Sequence, residues 1–318
     1  MPVSYNLRDK FVWMRNDIEP QSIGIVQKML NAGEINELYV ANIEESIFHS
    51  LNLNQLKALS IVNIPCYNFE FLSSITGLKY LKIDLSSMQP GDKNVELKSL
   101  PAMSGLESLF LAGKEIKSLK NLPLFPNLKE LWLREISGES LGFLDAYPLV
   151  NDLWISECRL KDYRYLVSCQ NLIRLRVFET PVDFDEMTST STFNQSLQIL
   201  ELYDCPTLKN LEPLVIFEKL RYLDISLCKN LRSVKGIEKC GALEVIVIQD
   251  PVWKAIVKKI ERYLFADILS IFNHKYRRRI ACLRKLDSKK INYLDHYTKY
   301  FSGSLVCPPE MEASLKKP

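Results

Sequence analysis

The chain has 318 residues, with 47% hydrophobic and 25% charged side chains, the composition of a folded globular protein. That excludes intrinsic disorder over most of the length, and 11 glycines and 15 prolines without a short period exclude a collagen-like fibre. A net charge of +3 is too small to demand nucleic acid or an anionic membrane as partner. The N-terminal stretch MPVSYNLRDKFVWMRNDIEP carries charges where a signal peptide would be apolar, and no apolar run reaches the ~20 residues of a spanning helix. A cytoplasmic location is the expectation. Eight cysteines, with no CxxC pair, fit reduced thiols better than a disulfide scaffold or a zinc site.

Taken in chain order, residues 1–34 form an N-terminal cap. EPQSIGIVQKMLNAG has helical spacing at Ile23, Val26, Met29 and Leu30, with Asp17 or Ser22 as N-cap and Gly33 as stop. Such a helix would shield the first strand of whatever follows.

From Ile35 to Asp250 the chain repeats itself. LxxLxL, with Ile or Val allowed, begins at Ile35, Leu56, Leu78, Leu106, Leu128, Val150, Leu172, Leu197, Leu220 and Leu243, which makes ten units at a spacing near 22 residues. The L-x-L segment predicts a short strand with its leucines on one face. Behind it, apolar residues recur about every third position, as at Ile116, Leu119, Leu122 and Phe125, predicting a tight helical or extended return. One unit cannot bury its own apolar face, but ten stacked units share a continuous core. The returns are bulkier than strands, so the stack should curve with the sheet inside. The expected fold is an α/β solenoid with a parallel sheet on its concave face and helical caps at both ends.

These repeats resemble the leucine-rich repeat family, in the bacterial 22-residue form of internalin-like proteins. The resemblance implies a curved solenoid that binds proteins on its sheet. Family members usually carry Asn at the ninth position of the unit, whereas here Ile64, Ser86, Lys114, Ile136, Cys158, Thr180, Cys205 and Cys228 follow one another, which predicts an irregular turn. Cys205 and Cys228, in neighbouring units, read as buried thiols. The two longest units place their surplus beyond the strand, at Ser86–Asn94 and Asp183–Gln195.

Residues 251–318 change pattern. Trp253, Ile256, Val257, Ile260 and Leu264 fall on one helical face, predicting a helical cap followed by a basic tail. Lys275, Arg277, Arg278, Arg279, Arg284, Lys285, Lys289 and Lys290 form a basic cluster at 275–290 that offers an alternative function, nucleic-acid or membrane binding. Another alternative is an effector activity in this segment. Against chemistry, His49, His274 and His296 lack companions at catalytic or metal-ligand spacing. No phosphate-binding, nucleophile-elbow or zinc-protease motif is present, and Cys282 and Cys307 sit in a segment too short for a catalytic cysteine domain. No enzyme activity, metal or cofactor is expected.

The repeat assigns side-chain direction. Positions four and six of each unit point into the core, so positions three, five and seven face out of the sheet. Position five reads Tyr39, Ser60, Lys82, Phe110, Trp132, Trp154, Arg176, Glu201, Asp224 and Val247, placing three large aromatics on consecutive rungs. Position seven adds Arg134, Phe178 and Tyr203; position eight adds an acidic row, Glu135, Glu157, Glu179 and Asp204. Aligned carboxylates repel unless something cationic meets them. The expected binding surface has Phe110, Trp132 and Trp154 as anchors, Tyr203 beside them, and Arg134, Arg176, Glu157 and Glu179 setting specificity. Its partner would be another protein with a basic patch. For bacterial proteins of this appearance, toxin-neutralising immunity and effector roles are the settings the resemblance implies.

Overall fold

A computed structural model describes residues 3–6, 10–15, 19–64, 69–87, 97–116, 118–188, 196–232, 240–243 and 245–249. All of them belong to one compact unit, Met1–Ile256. The predicted C-terminal cap, the basic cluster, His274, His296, Cys282 and Cys307 lie outside the described residues.

One sheet of twelve strands organises the unit. In chain order the strands are β1 (Val3–Asn6), β2 (Phe11–Arg15), β3 (Glu37–Ala41), β4 (Ala58–Val62), β5 (Tyr80–Asp84), β6 (Ser108–Ala112) and β7 (Glu130–Arg134). Then come β8 (Ser137–Ser140), β9 (Asp152–Ser156), β10 (Arg159–Lys161), β11 (Arg174–Phe178), β12 (Ile199–Tyr203), β13 (Tyr222–Ser226) and β14 (Val245–Gln249). β8 and β10 form a separate parallel pair in the turns. The ten strands of the repeat neighbour one another in sequence order, all parallel and without a register slip. Leu38, Leu59, Leu81, Leu109, Leu131, Leu153, Leu175, Leu200, Leu223 and Ile246 therefore share one line across the sheet.

The core follows from this register. Positions one, four and six of the units from Ile35 to Leu220 are buried, as are the return residues Ile116, Leu119, Leu122 and Phe125. Each such leucine withdrawn from water contributes about 1.5–3 kcal/mol, and the gain is shared between adjacent rungs. The returns are short: 3-10 turns at Glu70–Ser74, Leu97–Ser99, Leu141–Ala146 and Glu212–Ile216, and one-turn helices at Ile47–Ser50, Tyr165–Ser168 and Phe184–Thr188.

The N-terminal end departs from the expectation. The predicted helix forms, as α1 (Pro20–Asn31), but its N-cap residue is Glu19 and it has no side-chain cap, with Pro20 filling the first turn; Ser22 lies within it. The C-terminus is as read: Gly33 has φ +67°, its N–H donates to Leu30 O, and Glu34 N–H donates to Met29 O. This paired closure requires a left-handed residue, for which glycine carries no Cβ penalty. However, α1 does not sit on the edge of the sheet. It is the return between β2 and β3, which are parallel and in full register, with Val12 opposite Leu38 and Met14 opposite Val40. An additional rung thus precedes the ten. Antiparallel β1 closes this end of the sheet as a hairpin partner of β2. Four residues of edge strand leave little template for unwanted pairing.

Candidate functional site

Parallel register turns position five into a line of side chains on the outward face: Lys82, Phe110, Trp132, Trp154, Arg176, Glu201 and Asp224 stand side by side. Phe110, Trp132 and Trp154 are half-buried, because they pack on one another. Ring centroids are 6.0 Å apart for Phe110–Trp132 and 4.5 Å for Trp132–Trp154. The stack then steps sideways, since Arg176 takes the next place in the line. Trp154 stacks at 4.9 Å on Phe178 and Phe178 at 5.6 Å on Tyr203, both from position seven. The result is a continuous five-ring ladder crossing five strands diagonally. Lys82 Nζ caps its first ring at 4.6 Å and the Arg176 guanidinium lies 5.3 Å from the Trp154 ring centre. Trp132, the second ring, has its indole N–H enclosed without an acceptor. A second aromatic pair, Trp13 edge-on to Tyr39 at 5.1 Å, marks the extra N-terminal rung, and Trp13 is 37% exposed.

Arg176 differs from its expected role as a specificity-setting contact. It is only 3% exposed, held by Glu201 (Nε to Oε2, 2.8 Å) and Asp152 (Nη1 to Oδ1, 3.3 Å), while Arg174 reaches the other Asp152 oxygen at 3.4 Å. Its charge is spent inside the sheet face, positioning Trp154. Burial raises the pKa values of Asp152 and Glu201, with Arg176 opposing the shift in both. Asp224, the next residue in line, meets no arginine among the described residues. Burial pushes its carboxyl up to about 6, a hydrogen bond from Ser226 opposes the rise and Glu201 adds to it.

That surplus carboxylate has a consequence for stability. A folded-state pKa raised from 3.8 to about 6 means that the folded protein holds a proton that the unfolded chain has released. Stability is therefore lost as pH rises through this window and stays lost above it. Asp224→Asn keeps an oxygen acceptor for the Ser226 hydroxyl and is expected to stabilise the protein at pH 7.5 by ~1–3 kcal/mol. It should also flatten the decline in melting temperature between about pH 4 and pH 6. Thermal unfolding of both proteins across that range checks it; equal profiles would mean that Asp224 is ionised and adequately solvated.

Position eight carries the acidic row and an unforeseen backbone. Asn42, Asn63, Gly113, Glu135, Glu157, Glu179, Asp204 and Leu227, each at this position, all have positive φ. The conformation lets the position-eight N–H extend the ladder by one bond before the chain turns: Glu135 donates to Ser156 O, Glu157 to Phe178 O and Glu179 to Tyr203 O at 2.8–3.0 Å. Left-handed backbone favours Gly, Asn and Asp and costs other residues about 1–2 kcal/mol. Asn42, Asn63, Gly113 and Asp204 obey that rule and Leu227 does not, while three consecutive units beside Trp132 and Trp154 place glutamate there. The row is partly neutralised within the chain. Arg134 meets Glu157 at 3.0 Å and Glu135 at 3.5 Å, and Lys229 meets Asp204 at 3.9 Å. Glu179 is exposed and, among the described residues, makes no ion pair.

At position nine the turn is more regular than its mixed composition implies. Cys158, Cys205 and Cys228 each direct their thiol at the position-six carbonyl of the preceding strand: Leu133, Val177 and Leu202 at 3.5–3.6 Å. Cys158 N–H in turn donates to Thr180 Oγ1 and Cys205 N–H to Cys228 Sγ. Small polarisable side chains thus satisfy backbone groups at these turns. None of the five described cysteines is in a disulfide. Among the described residues no group of three or more His, Cys, Asp or Glu is placed to hold a metal ion, and no helix is long and apolar enough to cross a membrane.

A 22-residue strand-and-return unit, stacked in register as a parallel sheet over one leucine core, defines a leucine-rich-repeat solenoid. No family model and no curated protein matches the chain. Solved structures of this kind do. An internalin of Listeria monocytogenes aligns at 14% identity with a TM-score of 0.40, covering 76% of this chain and 83% of its own. Internalin C2 of the same species aligns at 14% identity and a TM-score of 0.32, over 77% and 84%. A leucine-rich-repeat protein of Leptospira interrogans aligns at 15% identity and a TM-score of 0.21, over 71% and 88%. The fold assignment rests on the chain's own register.

Proposed function

We propose that the chain is a non-enzymatic protein-binding module whose recognition surface is the outward, concave face of the sheet, centred on Phe110, Trp132 and Trp154. The observation that carries this reading is the five-ring ladder beside a row of glutamates kept at backbone positions that disfavour them. Interfaces concentrate binding energy in central Trp, Tyr and Arg side chains. Strain retained next to such a cluster points to use rather than to folding. Glu157 and Glu179 are exposed and would meet a partner with a basic patch, while the same carboxylates disfavour a phosphate backbone. Arg134, already bridging to Glu157, would fix the orientation of that edge, and Tyr203 ends the ladder. The five described cysteines, all outside disulfides, accord with a reducing cytoplasm. Neutralising a toxin and acting as an effector both fit this chemistry. A toxin as the captured partner, inhibited at one-to-one stoichiometry, supports the first; a target from another organism supports the second.

The test is affinity capture with the intact protein and with Trp132→Ala, followed by titration of the captured partner against both. Loss of a central anchor should weaken binding by at least 2 kcal/mol, about 30-fold. Melting temperature should fall only a few degrees, because each lost ring pair contributes ~0.5–1.5 kcal/mol beyond its area. Unchanged affinity with a folded variant would remove the ladder from the interface.

A further inference from the structure

We propose that Cys205 and Cys228 are a peroxide-responsive dithiol that oxidises to a disulfide joining two adjacent rungs. Each follows the left-handed residue that ends its strand, Asp204 and Leu227, and β12 and β13 are in register up to Tyr203 opposite Ser226. Neighbouring strands lie ~4.8 Å apart, inside the Cα range that a disulfide spans. Cys228 Sγ is 3.4 Å from Cys205 N, so one thiol already rests against the backbone of the other residue. Cys158 provides an internal comparison: its position-nine neighbours are Ile136 and Thr180, and it has no sulfur to join.

The pair is also polarised. Cys228 Sγ accepts a hydrogen bond from the Cys205 N–H, and the neighbouring Cys205 side chain chiefly lowers its pKa despite burial. The nearby Cys228 side chain, together with burial, raises that of Cys205. Cys228 is also the less enclosed, at 6% exposure against 0%. That exposure and the N–H hydrogen bond it accepts make Cys228 the attacking thiolate in this proposal, with Cys205 the proton donor and resolving thiol. In the first step Cys228 sulfur attacks a peroxide oxygen. The O–O bond breaks, and the departing hydroxide takes the Cys205 proton to become water, leaving a sulfenic acid on Cys228. In the second, the Cys205 thiolate attacks Cys228 sulfur and the S–O bond breaks. The hydroxide released takes up the proton that Cys228 had given to solvent. Two thiols are oxidised by two electrons in all, and one peroxide is reduced to two waters. The bond withdraws the thiol donors from Val177 O and Leu202 O and ties the two turns beside Glu201, Tyr203 and Asp224, so redox state would reach the C-terminal end of the sheet face.

The experiment treats the reduced, folded full-length protein with hydrogen peroxide, alkylates remaining thiols and maps the cysteine peptides by mass spectrometry. The expected product is a Cys205–Cys228 cross-linked peptide, lighter than the two thiol peptides by about 2 Da and restored by dithiothreitol. Cys205→Thr should trap Cys228 as a dimedone-reactive sulfenic acid, and Cys228→Thr should leave Cys205 unreactive; Thr180 shows that threonine serves this turn. Recovery of both cysteines as free thiols after peroxide treatment would overturn the proposal, as would cross-linking of either to another cysteine. If the variants fail to fold, the cross-linked peptide from the unsubstituted protein still decides it.

Discussion

Arg176→Met should be the most damaging single substitution on the outward face, lowering stability by ~3–5 kcal/mol, the usual cost of leaving partners of a buried ion pair uncompensated. Arg176 is 3% exposed and reaches both Asp152 and Glu201. Methionine replaces its bulk but none of its charge. Burial already raises both carboxyls against the pull of that guanidinium, so without it they would bind protons at still higher pH. The sign follows. The folded variant would hold protons that the unfolded chain releases, so its deficit should be largest at neutral and alkaline pH and shrink as pH falls towards 4. A melting-temperature loss of roughly 10 °C at pH 7.5 is expected for a unit of this size. Adding Asp152→Asn and Glu201→Gln should recover most of it, since an uncharged trio leaves no ionised group buried without a partner. A loss below ~1 kcal/mol, or one independent of pH, would show that water reaches these carboxylates and that the cluster behaves as a surface network.

This cluster also marks where the sequence stops being informative. Period and alternation carry the solenoid: each LxxLxL places three side chains in the core, and a one-residue slip would expose all of them. Side-chain direction at Phe110, Trp132 and Trp154 follows from the same parity, and the observed register places them in one line. What parity leaves open is how neighbours pair once they face the same way. Arg176 reads as an outward cation, yet Asp152 and Glu201 on the adjoining rungs draw it down between them. Glu135 and Glu157 read as a repelling row, yet Arg134 reaches both. The extra rung at Phe11–Arg15 was illegible for a different reason. Val12 and Met14 supply the inward pair, but no leucine opens the unit and a hairpin rather than a return precedes it. The left-handed position was visible in principle, since Asn42, Asn63 and Gly113 share it, but the glutamates hide that signature. At Gly113 the reason is steric as well: a Cβ there would lie 2.8 Å from Leu85 Cβ.

The same contrast yields an expected gain of stability that costs recognition. Glu157→Asn with Glu179→Asn places at two rungs the residue that Asn42 and Asn63 already use in this conformation. Relief of left-handed strain should contribute ~0.5–1 kcal/mol at each. Removing adjacent like charges helps further. Against that stands one lost ion pair, Arg134–Glu157, with both side chains about 40% exposed, and exposed pairs of this kind contribute ~0–1 kcal/mol. Glu179 forfeits none. The double variant should therefore melt a few degrees higher while binding a basic partner about tenfold more weakly or worse, mainly through slower association and a shallower salt dependence. Melting curves and association rates at two ionic strengths read the two effects separately. If stability rises and binding is untouched, the glutamates are not part of the interface and the partner engages the aromatic ladder alone. If stability falls, strain is not what distinguishes these rungs, and the case for a selected acidic row loses its physical basis.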